Sequence, residues 1–415
     1  MKSKVLFIVA SAIAGVILVS CEEKNPKISD YDYKYLNIRL SSEVICPLCG
    51  EVIHPYDIDP NNDGVIQLSE TSAITGVYFK GTYKKGTEVL VGLIQNTEFF
   101  PNLEHIYVEY AINQDFLFNN EFPKLKCANI HIGDQRTASS FYVNLDFQIS
   151  KGLSNAEMLR VDLRDALTHD ASKNQTYLKF SQDKVIFPNL KVLELFHNEI
   201  HKYKNTESEL DLSKMPLLEN VTLQLYSLKS LDLTKNTNLT RLDCSNNKLT
   251  ALDLGSNPNL TYLNIGNSGR FNIMEKGENN ITELDLRNNL EIDSVITEDN
   301  DLFYLYLGEN SKLRYLSLGQ CSLREINLEK CKSLEYFYCM GLLNELNLRN
   351  CGNLKYLRIY AGFMTELDLS NNLMLEDVDL DLNDNHLKII ISSAQQDKEW
   401  VKQYENYDNI EFEVI

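Results

Sequence analysis

The run Leu239-Thr-Arg-Leu242-Asp-Cys244-Ser-Asn-Asn247-Lys-Leu249-Thr-Ala-Leu252-Asp-Leu254 decides the fold of this 415-residue chain. Numbered from Leu239, apolar residues fall at positions 1, 4, 6, 11, 14 and 16, with Asn at 9 and again near 19. The same pattern begins at Leu218, Leu239, Leu260, Ile292, Leu313, Leu334, Leu354 and Leu375. The steps are 21 residues, apart from one of 20 and one of 32. The long step carries an eleven-residue insertion, expected within Ser268 to Asn279. Positions 4 and 6 alternate as in a short strand, so both side chains point to one side. A buried Asn at 9 can bond to backbone that a tight turn leaves unpaired. One such unit cannot bury its apolar side alone, and stacked units share a continuous core.

This pattern resembles the leucine-rich-repeat family in its 21-residue variant with nested halves, common in secreted proteins of Bacteroidota and related to internalins. The regular resemblance covers about residues 215 to 391. It implies a repeat solenoid with a curved parallel β-sheet on the concave face, short strands and turns on the convex face, and a cap at each end. Phe100-Pro-Asn-Leu103, Phe122-Pro-Lys-Leu125 and Phe187-Pro-Asn-Leu190 read as degenerate copies of uneven length, extending irregular repeats over 100–214. An N-terminal cap is expected over 34–99 and a C-terminal cap over 392–415. In the latter, Asp397 to Tyr404 suits a short amphipathic helix carrying the only Trp, Trp400.

The first twenty residues hold Lys2 and Lys4 and then an apolar run from Val5 to Val19, as in a secretory signal peptide. Leu18-Val19-Ser20-Cys21 matches the bacterial lipobox, in which the cysteine becomes the lipid-modified N-terminus. With Glu22 following, that resemblance implies an outer-membrane lipoprotein, facing either the surface or the periplasm. Residues 21–33 then form the lipidated cysteine and a polar tether. Removing Lys2 and Lys4 from 40 basic residues against 59 acidic ones takes the formal charge from −19 to about −21. A chain of that charge repels phosphate backbones, which disfavours nucleic acid as a partner. The membrane is expected to be touched only through the anchor.

Asp59-Pro-Asn61-Asn-Asp63-Gly64-Val65-Ile-Gln67-Leu-Ser-Glu70 fits the twelve-residue EF-hand loop at each diagnostic position. Oxygens at 1, 3 and 5 suit a hard cation, Gly at 6 permits the sharp turn, and Glu at 12 can bind through both oxygens. The resemblance assigns Asp59, Asn61, Asp63 and Glu70 as side-chain ligands of a structural Ca²⁺, with Val65 through its carbonyl and Gln67 through water. A polar turn that binds nothing is the plain alternative. Cys46-Pro-Leu-Cys49, with His54 nearby, has the spacing of a zinc or redox pair, a local disulfide, or inert thiols. Cys244 and Cys339 occupy core position 6, Cys321 the Asn slot at 9, and Cys331 and Cys351 the slot near 19. Neither a nucleophile elbow nor a phosphate or dinucleotide loop occurs, so the chain does not read as an enzyme.

Positions 3, 5 and 7 of each repeat face away from the core. Position 3 reads Arg241, Tyr262, Ser294, Tyr315, Tyr336, Tyr356 and Asp377, and Tyr338 at position 5 and Tyr360 at position 7 widen the aromatic patch. With strands about 4.8 Å apart, Tyr315, Tyr336 and Tyr356 are expected to stack as a ladder. Tyr is favoured at exposed sheet positions for its own sake, but it is also enriched in interfaces. Asp377, Asp379 and Asp381 close the stripe with carboxylates. Opposite them, Glu283, Glu325, Glu345 and Glu366 form a column that reads as a solvated ridge. The functional expectation is recognition or adhesion at the cell envelope, with a protein held on the sheet face. The alternative is a glycan-binding accessory lipoprotein of a polysaccharide-uptake system, its tyrosines stacked on sugar rings.

Overall fold

The computed structural model describes residues 39–58, 60, 67–80, 100–111, 122–132, 146–149, 153–162, 177–180, 187–196, 210–224, 228–267, 279–360, 362–381 and 386–415. They fall into two compact units, Met1–Leu210 and Asp211–Ile415.

In the second unit each 21-residue step contributes one strand to a parallel sheet. The strands are Asn220–Gln224, Arg241–Asp243, Tyr262–Asn264, Ser294–Ile296, Tyr315–Gln320, Tyr336–Met340, Tyr356–Tyr360 and Asp377–Asp381. Their register is continuous, Asn220 to Arg241 to Tyr262 to Ser294 to Tyr315 to Tyr336 to Tyr356 to Asp377. The residue after each of these points inward: Leu242, Leu263, Val295, Leu316, Phe337, Leu357 and Val378 are fully buried. So are the repeat-opening Leu218, Leu239, Leu260, Ile292, Leu313, Leu334, Leu354 and Leu375. Removing one leucine side chain from water stabilises by about 1.5–3 kcal/mol. A column of them, one per turn, is what offsets the entropy of ordering a chain with almost no local hydrogen-bonded helix.

The asparagines complete the turn, as the spacing predicts. Near position 19, Asn236, Asn257, Asn289, Asn310 and Asn372 are all fully buried. Each donates its amide to carbonyls of the preceding repeat: Asn257 to Leu233 at 3.3 Å and Asn236 at 2.9 Å, Asn289 to Leu254 at 3.1 Å and Asn257 at 2.8 Å, Asn310 to Leu286 at 3.2 Å and Asn289 at 3.0 Å. Cys331 and Cys351 fill the same slot, both fully buried, the Cys351 thiol lying 3.8 Å from the Leu328 carbonyl. A second ladder runs at position 9 through Asn247, Asn279 and Asn300. The expected insertion lies outside the described residues, but its two flanks are tied: Asn279 N–H donates to Asn267 at 3.0 Å and Asn267 donates back at 3.1 Å. Asn279, not a residue before the insertion, takes the ladder slot, donating to Cys244 and Ile265 carbonyls at 2.9 Å each.

On the return half of the repeats the strands are short. Glu283–Asp285 pairs with Tyr304–Tyr306, and Glu366–Asp368, Leu387–Ile391 and Ile410–Val414 form a three-stranded sheet. The expected terminal helix is Glu399–Tyr404, with Trp400, Val401 and Tyr404 buried. Its Tyr404 hydroxyl accepts from Leu380 N–H at 2.8 Å and reaches the Val378 carbonyl at 3.2 Å, sealing the last core layer. The pairing of Ile410–Val414 with Leu387–Ile391 has no counterpart in the repeat pattern.

The first unit follows the same plan with different fillers. Gly76–Lys80, His105–Ala111, Cys127–Ile132, Met158–Asp162 and Val192–Phe196 pair in parallel, with Gly76, His105, Cys127, Met158 and Val192 in one row. Leu103, Leu125 and Leu190 each donate an N–H to the carbonyl of Phe100, Phe122 or Phe187 three residues earlier, at 3.2, 3.3 and 3.4 Å. Leu239 makes the same turn onto Asn236 at 3.1 Å. Phenylalanine therefore stands where the second unit has its buried Asn. Leu153 to Ala156 is a further copy, closed by an Ala156 to Leu153 bond of 3.0 Å, which the sequence pattern alone does not mark.

Candidate functional site

The outward row of the second unit is assembled as its spacing predicts, but the rings sort into two groups. Tyr262 lies under Arg241, whose guanidinium carbon is 3.5 Å from the ring centroid, so one face of this tyrosine is occupied by a cation. Ser294, a small residue bonded to Asp293 at 2.8 Å, separates it from the rest. Beyond that gap Tyr315 and Tyr336 stack with centroids 4.4 Å apart and planes 6° from parallel. The expected three-ring ladder ends there. Tyr356 is 6.5 Å from Tyr336 and tilted by 43°, its hydroxyl turned to the Glu376 carboxylate at 3.3 Å. Tyr338 and Tyr360 meet edge to face at 5.8 Å on the neighbouring positions.

Charge surrounds the rings in an ordered way. Arg358, one strand from Tyr338 in direct register, pairs with Asp377 at 3.2 Å. Tyr360 donates its hydroxyl to Asp379, and the Ser317 hydroxyl donates to Glu298. The terminal carboxylates of the stripe are thus partly engaged by Arg358 and Tyr360. Burial, and then Tyr336, push the Tyr315 phenol up to about 12, while the hydrogen bond to Asp379 holds Tyr360 at about 12. Burial also raises Tyr262, Tyr336 and Tyr338. The patch is one of neutral phenols edged by ion pairs, and it offers hydroxyl donors and ring edges together. Gly319 has φ of +50° beside a register shift in the Tyr315–Gln320 strand, and a Cβ there would lie 2.8 Å from the Glu298 backbone. This bulge brings Glu298 close to the strand that carries Tyr315. Arg358 and Glu298 belong to the face and were not singled out by the tyrosine pattern. Their register positions, 5 and 7, are the signal that finds them. Glu283, Glu325, Glu345 and Glu366 are exposed, as a solvated ridge requires.

Of the calcium-loop residues, Asp59, Asn61, Asp63 and Val65 lie outside the described residues, as does Cys21. Gln67 and Glu70 open the short helix Leu68–Thr71, where the Gln67 N–H donates to Glu70 Oε2 at 2.9 Å. A carboxylate at the start of a helix is held there by cap and dipole together. No helix among the described residues is long and apolar enough to cross a membrane.

Two inward residues at positions 4 and 6, a buried turn donor and one return per repeat define the architecture. The fold is that of leucine-rich-repeat proteins. No protein-family model matches this chain, and no characterised protein matches it in sequence. Among solved leucine-rich-repeat structures it is similar to the functional domain of InlJ from Listeria monocytogenes, at 19% identity over 84% of this chain and 74% of that one, with a TM-score of 0.44. The internalin inlF of Listeria monocytogenes gives 17% identity over 76% and 89%, with a TM-score of 0.49. A leucine-rich-repeat protein of Leptospira interrogans gives 15% over 82% and 90%, also at 0.49. At these values the fold assignment rests on the repeat geometry itself.

Proposed function

We propose that the outward face of the second unit's sheet is a recognition surface for a protein ligand at the cell envelope, carried by a lipoprotein anchored through Cys21. One observation carries the reading: Tyr315, Tyr336, Tyr338, Tyr356 and Tyr360 converge on adjacent strands of a fixed register, with Arg358, Asp377 and Asp379 among them. Rigid aromatic area with hydroxyls and a few charges is the composition of protein-binding hot spots. Backbone pairing on both sides holds these side chains in place before a ligand arrives, which lowers the entropy cost of binding. For the glycan alternative a ring face must be open to the sugar: Tyr315 and Tyr336 each give one face to the other and Tyr262 gives one to Arg241, so only the remaining faces would stack.

The same reading puts Ca²⁺ in the Asp59–Glu70 loop as a structural ion of the N-terminal cap. In that role Glu70 would offer one carboxylate oxygen directly and would have to release the Gln67 N–H from Oε2 to bind through both. The experiment is binding of the protein, in millimolar calcium, to a mixed panel of extracellular proteins and glycans, beside a Tyr315→Ala/Tyr336→Ala/Tyr356→Ala variant. Protein hits lost in the variant support the proposal. Glycan hits lost in it favour the carbohydrate alternative, and hits that survive it exclude the tyrosine face.

A further inference from the structure

The Cys46-Pro-Leu-Cys49 pair acquires partners only when the first unit folds. Its hairpin pairs Val44 with Ile53 and Ile45 with Val52. The tip is a tight knuckle in which Gly50 N–H donates to the Cys46 carbonyl at 2.8 Å and Cys46 N–H to the Glu51 carbonyl at 2.9 Å. Gly50 takes φ of +74°, a conformation that other residues adopt only under strain. The hairpin lies across the starts of the sheet strands. Gly76 marks the contact, because a Cβ there would meet both γ carbons of Ile53 at 3.3 Å. Next in the same row stand His105 and Cys127, first residues of their strands and outward-facing by the repeat pattern. Cys127 is nonetheless fully buried, and Cys46 is 1% exposed. Cys46 Sγ lies 3.8 Å from Cys127 Sγ, Cys49 Sγ lies 3.8 Å from His105 Nδ1, and the three sulfurs all fall within 4.8 Å of one another.

We propose that Cys46, Cys49, Cys127 and His105 form a structural zinc site that pins the knuckle hairpin to the first unit's sheet. Two separations match those such a site requires, Cys46 to Cys127 and Cys49 to His105, and the three sulfurs lie within 4.8 Å of one another, so the cluster closes onto a metal by small side-chain shifts. Tetrahedral zinc with Zn–S of about 2.3 Å holds two thiolates about 3.8 Å apart, and Zn–N of about 2.0–2.1 Å puts sulfur and nitrogen about 3.5 Å apart. A disulfide would need sulfurs at about 2.05 Å and would leave the third thiol of the cluster unused. The imidazole turns Nδ1 to the Cys49 thiol, with Nε2 on the side of the Glu104 carboxylate at 3.9 Å, beyond hydrogen-bond reach. Lys126 in turn holds Glu104 at 2.6 Å. His54, the histidine nearest the pair in sequence, is instead bonded to Glu43 at 3.0 Å on the exposed side. Four protein ligands close the coordination sphere, so the site is structural and offers no position for a substrate.

Full-length protein, reduced and stripped with a chelator, is titrated with Co²⁺ under anaerobic conditions. The proposal expects uptake of one cobalt per chain, tetrahedral d–d absorption with thiolate-to-cobalt charge transfer, displacement by Zn²⁺, and a lower Tm for the stripped form. Cys127→Ser should lose the tetrahedral spectrum. His105→Ala should keep the charge-transfer band with altered d–d bands, and Cys321→Ser should match the unmodified protein. If Cys127→Ser does not fold, the unmodified titration and His105→Ala decide the matter. A reduced protein that takes up no cobalt, or takes it up without thiolate charge transfer, overturns the proposal, as does a spectrum that His105→Ala leaves untouched.

Discussion

At the scale of single residues, the asparagine ladders explain how the second unit buries the turns that lie between its strands. Asn257 is fully buried and supplies donors to the Leu233 and Asn236 carbonyls, which lie in a turn that no strand can pair. Both carbonyls also accept backbone N–H groups, from Asn236 at 3.0 Å and Leu239 at 3.1 Å, so Asn257→Ala removes two side-chain hydrogen bonds without orphaning either carbonyl. At about 0.5–1.5 kcal/mol per bond, it should lower the unfolding free energy by about 1–3 kcal/mol in urea titration. Asn259→Ala, exposed and bonded to Thr237 at 3.3 Å, should stay within about 0.5 kcal/mol. The tyrosines make a second residue-scale prediction. Tyr315 and Tyr360 have phenols near 12 in the folded protein against 10.0 for the ordinary side chain. A proton held more tightly in the folded state contributes stability that is complete below pH 10 and is lost as pH rises toward 12. Ultraviolet titration should show a late phenolate phase that shrinks in Tyr315→Phe and Tyr360→Phe. The ladder slots and the outward row were legible because their period is fixed by the repeat. The tilt of Tyr356 was not, since it depends on Glu376, a neighbour that the tyrosine spacing does not reveal.

At the scale of elements, the caps decide whether the core layers stay closed. Trp400 is 2% exposed and covers the last layer, so Trp400→Ala should cost about 3–5 kcal/mol and broaden thermal unfolding. Tyr404→Phe should cost about 1–3 kcal/mol, since it leaves the Leu380 N–H without its acceptor. At the other end the proposed calcium loop makes its own prediction. A single extracellular-type loop binding at about 0.1–1 mM should gain about 1.4–2.7 kcal/mol from 10 mM calcium. Glu70→Gln should abolish that gain while keeping the helix cap, as followed by Tm with and without calcium. The C-terminal helix is a local pattern and could be read directly. The meeting of Cys46 and Cys49 with Cys127 and His105 could not, because it is made by the register of the Gly76, His105 and Cys127 strands and not by spacing along the chain. The Leu153 copy was hidden likewise, because Leu153 stands in the slot that Phe fills in the other copies of the first unit and Asn in the second.

At the scale of the whole molecule, the formal charge of −19 sets how partners approach. Acidic surfaces accelerate encounter with basic partners, and salt screens that attraction over a Debye length of about 8–10 Å. Association of a protein ligand should slow as ionic strength rises, while its dissociation, governed by the desolvated tyrosines, should change little. Surface plasmon resonance across a salt series separates the two. The most direct test of the central claim is where the ligand lies. A photo-crosslinking residue is placed at Tyr336 on the outward row, or at Glu325 on the opposite ridge, and each variant is irradiated with the protein ligand that the panel returns. The account predicts crosslinking from position 336 and none from position 325. Capture from position 325 alone would contradict it and assign binding to the return face of the repeats.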